Sequence, residues 1–265
     1  MSIVGTVDSL WRYPVKSMGG EELEEAFVGF PGVYGDRYFA FRSSARPKGF
    51  PYLTGREQQR LLRYRPRFRN PEKAAEPPNL AEAQLITPGI NPVNADPEDL
   101  RVDVETPSGE LLAIDDPALE SMLGEGISDD NNLTLVRSER AMTDCRPVSL
   151  ISLQTVEQIG EELREGGGLD PQRFRANVYV DSASGRGFGE DALVGRSLRI
   201  GSKVVVSVLE RDPRCKMISL DPDTGEHNPQ ILRTVARVHG NMAGVYCAVL
   251  VEGVIKKGDS VELVD

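Results

Sequence analysis

The sequence predicts a mainly β chain with a few helices (α+β), in which antiparallel strands curl into barrels. Two observations carry this. Segments rich in Val, Ile, Tyr and Trp without a helical stripe recur along the chain, and glycine- or proline-bearing turns separate them. Helical periodicity is confined to a few short stretches, the pattern of strands closed at their ends by helices. No GxGxxG or GxxxxGK[ST] follows a strand, so dinucleotide and P-loop readings fail.

Residues 3–13 read as the first strand, followed by Pro14, which has no N–H to give a sheet. Strand character returns over 28–42 around the Pro31-Gly32 turn signal. Residues 54–64 suit a short helix, and 70–97, dominated by Pro, Asn, Ala and Glu, read as a long surface loop. Segments 100–105 and 111–114 flank Pro107-Ser-Gly109 as a hairpin, and Pro117 opens a brief helix over 117–123. The clearest helix begins at Ser152 as N-cap. It places Leu153, Val156, Ile159 and Leu163 on one face before Gly166-Gly-Gly168 stops it. Strands follow at 176–180, 197–200, 204–209, 244–251 and 260–264, with a helix-compatible stretch over 229–238. Two linked parts are expected, 1–125 and 141–265.

With 39% hydrophobic and 27% charged residues the chain has the composition of a folded globule. A net charge of −10 argues against general nucleic-acid binding, although local basic clusters can still hold small anions. No apolar run approaches the roughly 20 residues of a membrane span, and the N-terminus lacks a signal-peptide pattern, so a cytoplasmic location is expected. The three cysteines, Cys145, Cys215 and Cys247, fit neither a disulfide framework nor a CxxC metal site. His227 and His239 form no HExxH, and no serine sits in a GxSxG elbow. A Cys215/His227 dyad has little support.

Cys215 stands out because Arg211, Arg214 and Lys216 surround it, and neighbouring cations favour the thiolate, the reactive and metal-binding form of cysteine. Cys247, within an apolar strand, reads as a small buried hydrophobe. Lys16 and Ser17 follow the first strand and suit a phosphate or other anion, as a solvated lysine also would sit there. Asp36-Arg37, just before the strand 38–42, reads by itself as a local ion pair or turn contact. Arg175 and Asn177 lie two apart at the start of a strand and can share a face, forming an anion clamp, or else the arginine is solvated and the asparagine caps a turn.

Tyr13-Pro-Val-Lys-Ser17, Asp36-Arg37, Arg173-Phe-Arg-Ala-Asn177, Arg214-Cys215 with Asp221-Pro-Asp-Thr-Gly225, and the closing 253–259 stretch together resemble landmarks of the MOSC family. That family is named after the C-terminal domain of molybdenum cofactor sulfurases, and it includes the mitochondrial amidoxime-reducing component and its bacterial relatives. The resemblance implies a MOSC-type β-barrel with a second, smaller N-terminal β-barrel region. It also implies a molybdenum-pterin cofactor (molybdopterin) with Cys215 as the only protein ligand and the catalytic centre. Lys16, Ser17 and Arg37 would hold that cofactor from one side, and Arg175, Asn177, Arg214 and Tyr246 from the other.

The implied activity is reduction of N-hydroxylated small molecules by oxygen-atom transfer, with Asp144 and Arg146 near the open face. The chain carries no cysteine cluster for an iron–sulfur centre, so a separate electron-donor protein is expected. Sulfur transfer through a Cys215 persulfide and a non-catalytic cofactor carrier are the alternatives. Two departures stand out. Cys145 occupies a position where the family more often has a small hydroxyl residue or glycine, and Ala243-Gly244-Val245 precedes Tyr246 where Phe-Gly is common.

Overall fold

The computed structural model describes residues 2–85, 96–127, 132–163 and 168–264, without the side chains of 83 and 84. The first nine strands are β1 (Ser2–Arg12), β2 (Glu21–Leu23), β3 (Glu25–Gly29), β4 (Gly32–Val33), β5 (Phe39–Ser43), β6 (Arg65–Phe68), β7 (Val102–Glu105), β8 (Leu111–Ala113) and β9 (Leu133–Arg137). The other seven are β10 (Val148–Ser152), β11 (Val178–Ser182), β12 (Ser197–Ile200), β13 (Val204–Pro213), β14 (Met242–Val251), β15 (Gly253–Lys256) and β16 (Ser260–Val264). Four helices accompany them: α1 (Leu80–Leu85), α2 (Pro117–Gly124), α3 (Leu153–Leu163) and α4 (Pro229–His239).

Seven strands close into a barrel in the order β1, β11, β10, β14, β13, β12, β16 and back to β1. Closure leaves the ring without an edge to aggregate through. All its neighbours are antiparallel except β10 and β11, whose connection carries α3. Alternation along the strands sends Val7, Leu10, Val148, Val178, Val206, Val245 and Cys247 into one core. Burial pushes the Cys247 thiol up to about 12, as expected of a packing residue.

Outside the barrel, β5 pairs with β9, and β6, β7 and β8 form a three-stranded sheet. A second core of Phe39, Phe41, Leu61, Tyr64, Phe68, Leu100 and Leu119 lies with them. A third core packs α3 and α4 through Val156, Ile159, Ile231 and Val235 with Phe174, Tyr179 and Ile218. Ser152 caps α3 as expected, its hydroxyl accepting Thr155 N–H at 3.2 Å. The sheets cross the expected division at 125/141, since β1 belongs to the barrel and β3 pairs with β15.

Three local expectations are corrected. Residues 54–64 form only a 3-10 turn, Gln59–Arg63, because Thr54 and Glu57 hydrogen-bond each other at 2.6 Å and hold the preceding backbone in a turn. The stretch 28–42 divides into β3, β4 and β5, with a second turn over 34–37, where Gly35 takes φ +77°, besides the one expected at Pro31-Gly32. The supposed loop 70–97 contains α1, and its residues 86–95 lie outside the described residues, as do 164–167 at the expected glycine stop of α3. No helix among the described residues is long and apolar enough to cross a membrane.

Candidate active site

β1 ends at Arg12, and the chain leaves the barrel through Tyr13-Pro-Val-Lys-Ser17, pinned to β5 by Lys16 N–H donating to Phe39 O at 2.8 Å. Lys16 and Ser17 are buried and line a cleft. Lys16 Nζ donates to Met142 O at 2.7 Å and to Asp144 Oδ1 at 2.5 Å. Burial pulls this ammonium below the ordinary lysine value, while Asp144 works against the shift. Arg37 reaches the same cleft from the turn before β5. Its guanidinium donates to Asp36 Oδ2 at 2.6 Å and to Arg175 O at 2.9 Å, and Asp36 in turn accepts Tyr13 N–H at 2.8 Å. The Tyr13 ring supports two cations, with Arg37 Cζ 4.4 Å and Arg175 Cζ 4.2 Å from its centroid.

The second side of the cleft comes from the barrel and its outer turns. Arg175 ends a 3-10 turn with φ 52°, and burial, partly offset by Tyr13, brings its guanidinium down to about 10. Arg173 donates to Asp221 Oδ2 at 2.7 Å. Asp221 itself accepts the Asp223 and Thr224 N–H groups, so Asp221-Pro-Asp-Thr-Gly225 is a turn that buttresses Arg173. Arg214 leaves β13 with Nε on Ala243 O at 2.6 Å and Nη1 on Phe174 O at 3.0 Å. Asn241 exchanges two hydrogen bonds with the Arg214 backbone, at 2.7 and 2.8 Å. Cys215, half-buried, precedes the next 3-10 turn, Lys216–Ser219, and lines the cleft together with Met217 and Tyr246.

The cleft opens to solvent, and its cavity measures about 90 Å³. Seven cations line it (Lys16, Arg37, Arg56, Arg146, Arg173, Arg175 and Arg214) against the two carboxylates Asp144 and Asp212. In a chain of net charge −10 such a concentration selects an anion. Arg173 Nε and Nη1, Arg175 Nη2 and Arg214 Nη2 are buried with no hydrogen-bond acceptor. Arg214 Nη2 lies 2.9 Å from Asp212 Oδ2, an ion-pair distance, but is not aligned for a hydrogen bond. Donors left over in this way suit phosphate-like oxygens.

Backbone strain gathers at the same place. Among the described residues five non-glycine residues have left-handed φ, and Ser17, Arg37 and Arg175 line the cleft while Asn241 anchors Arg214. Such conformations persist where surrounding contacts over-determine them, typically at functional sites. No cluster of three or more His, Cys, Asp or Glu among the described residues could hold a metal ion.

Lys16, Ser17, Arg37, Arg175, Arg214, Cys215 and Tyr246 are thus brought together. Asn177 is not. It is buried behind the cleft, where its carboxamide accepts Ser149 N–H and donates to Trp11 O, both at 3.2 Å, and so braces the barrel. The spacing of two misled because Arg175 is left-handed and β11 begins only at Val178. Of the cations flanking Cys215, only Arg214 faces the cleft. Arg211 pairs with Asp191 at 3.1 Å, and Lys216 donates to Arg56 O at 3.0 Å. Cys145 is exposed and donates to Glu210, His227 lies away from the cleft, and all three cysteines are free. Sequence reasoning missed Thr54, Arg56 and Asp212, which belong to no motif. The charge run Arg211-Asp-Pro-Arg214 was the available signal for Asp212.

Comparison with known families matches residues 4–115 to the MOSC N-terminal beta barrel domain and residues 137–262 to the MOSC domain. Among solved structures, YuaD from Bacillus subtilis is similar at 12% identity over 98% of this chain and 94% of that one, with a TM-score of 0.49. YiiM from Geobacillus stearothermophilus is 21% identical over 45% of this chain and 55% of its own, with a TM-score of 0.36. YiiM from Escherichia coli is 17% identical over the same shares, with a TM-score of 0.34. No curated protein matches the chain. The two family matches follow one another along the sequence and between them contain both walls of the cleft, and the chain belongs to the MOSC family, with a MOSC N-terminal domain preceding a MOSC domain.

Proposed function

We propose that this protein is a molybdenum-cofactor-dependent reductase that removes oxygen from N-hydroxylated small molecules such as amidoximes and hydroxylamines. The observation that carries the proposal is one thiol, Cys215, in a cleft whose arginines keep buried nitrogens without an acceptor. That donor set fits a phosphate-bearing pterin that brings its own sulfur and oxygen ligands to the metal. When bound, the cofactor would supply the oxygen-atom and electron-transfer chemistry. Lys16, Ser17 and Arg37 would hold it from the N-terminal side, and Arg175, Arg214 and Tyr246 from the barrel side. Asn177 would act indirectly, by fixing Ser149 in the cleft wall. The exposed Asp144 and Arg146 mark the mouth through which a substrate would come.

The substrate class rests on the resemblance to the amidoxime-reducing branch of the family. The reading includes a cytoplasmic location and a separate protein as electron donor. Protein produced in a host able to make the pterin cofactor should hold about one molybdenum per chain and reduce benzamidoxime with reduced methyl viologen. Cys215→Ser should lose both. Metal-free protein carrying a cyanide-labile sulfur on Cys215 would replace the reading with sulfur transfer. Molybdenum bound without turnover under any donor would replace it with a carrier role.

A further inference from the structure

Two carboxylates line a cleft built for anions, and while Asp144 is paired with Lys16 at 2.5 Å, Asp212 calls for another explanation. On β13, Val204, Val206 and Val208 point into the barrel core, and beyond a register shift between Val208 and Glu210 the strand brings Asp212 to the cleft, with Arg214 just after its end. The pairing of β13 with β14 is irregular between Arg211 and Pro213, a bulge of the kind that re-aims side chains beside active sites. Asp212 is only 2% exposed, and a carboxylate so placed is costly unless fully paired.

Its pairing is partial. Arg214 Nη2 stands 2.9 Å away without hydrogen-bond alignment, and the other nitrogens of that guanidinium are committed to Ala243 O and Phe174 O. From β14 the Tyr246 hydroxyl hydrogen-bonds to the carboxylate, and the charges of Arg37 and Asp144 also act on it. Burial and Asp144 favour the protonated form, Arg214, Tyr246 and Arg37 the ionised one. Burial dominates and raises Asp212 to about 6, so both forms are populated near neutrality.

We propose that Asp212 is the proton donor for oxygen removal, giving its carboxyl proton to the oxygen that leaves the substrate nitrogen. The assignment rests on the reductase reading above. The N–O bond breaks, and the substrate is reduced by two electrons from the reduced donor protein. The hydroxyl oxygen takes one proton from Asp212 and departs as water, and the nitrogen takes a second proton from solvent. Asp212 then regains its proton from solvent through the cleft mouth.

Two measurements test this. Infrared difference titration of the protein, with and without cofactor, should show a protonated-carboxyl band that disappears as pH rises through the region of 6 and is missing in Asp212→Asn. In the loaded enzyme, benzamidoxime reduction with reduced methyl viologen should fall as pH rises through the same midpoint, because an acid must hold its proton to give it. Asp212→Asn should lower kcat by about 100-fold and erase that limb at unchanged molybdenum content. Asp212→Glu should restore the limb, and Tyr246→Phe, which removes a bond to the ionised form, should move it to higher pH. A wild-type rate and pH profile in Asp212→Asn, or no band assignable to Asp212, would overturn the proton assignment and leave the reductase intact. Molybdenum-loaded wild type inert towards every N-hydroxylated compound would overturn the reductase reading and the assignment with it.

Discussion

Gly244 takes φ +77°, and a Cβ at that position would stand 2.8 Å from Leu150 O and 3.0 Å from Arg214 Nη2. Both constraints point the same way: the backbone there favours glycine, and the space is already taken by the guanidinium that faces Asp212. Gly244→Ala should cost about 1–3 kcal/mol in a urea or guanidinium unfolding titration, with an unchanged denaturant slope. An unaltered midpoint would show that the strand absorbs the methyl group without strain. At this scale the motifs were legible where chemistry is carried by residue type: a lysine, several arginines and one cysteine. What escaped was backbone conformation. Ser17, Arg37 and Arg175 are left-handed without being glycine: the tertiary bond from Arg37 N–H to Tyr13 O at 2.7 Å holds Arg37, while Arg175 closes its 3-10 turn through its own N–H to Gln172 O at 3.1 Å. The expected shared face of Arg175 and Asn177 fails for that reason, and Asp212 was overlooked because a carboxylate between two arginines reads as a solvated charge.

α4 shows the other extreme, an element written almost entirely in its own residues. Asn228 accepts Gln230 N–H at 3.0 Å as N-cap, Pro229 occupies the first turn, and Gly240 closes the helix at φ 62°. Its inward face, Ile231, Thr234 and Val235, packs beside Ile218 of the turn that follows Cys215. Loss of the cap therefore loosens the support of the cysteine turn. Asn228→Ala should lower stability by about 1 kcal/mol and Asn228→Gly by a few tenths, read as melting temperatures. Equal effects would mean that Asn228 contributes through something other than its cap. The barrel strands were legible for a similar reason, because each buries an alternating apolar face. Their neighbours were not, since β1 closes the ring against β11 and β16, far along the chain, and local sequence carries no record of that pairing.

The cleft is a product of the whole chain: Lys16, Arg37 and Arg56 come from the first part, and Arg146, Arg173, Arg175 and Arg214 from the second. Like charges gathered this way repel one another, and burial adds a desolvation cost that brings Arg175 down to about 10. An anion that binds the cleft relieves both, and because the cleft exists only in the folded chain, binding is linked to folding. Phosphate is the simplest probe. At 100 times its dissociation constant it should stabilise the fold by about 2.7 kcal/mol, which for a chain of this size corresponds to a rise in Tm of roughly 5–10 °C. Equal ionic strength supplied as chloride controls for general screening, which acts on every exposed ion pair at once. Arg175→Gln should shrink the phosphate-specific rise while leaving the chloride response in place, since it removes a cleft cation whose buried Nη2 has no acceptor. The same rise in wild type and variant would mean that phosphate stabilises the protein elsewhere, and that the cleft does not use Arg175 to hold anions.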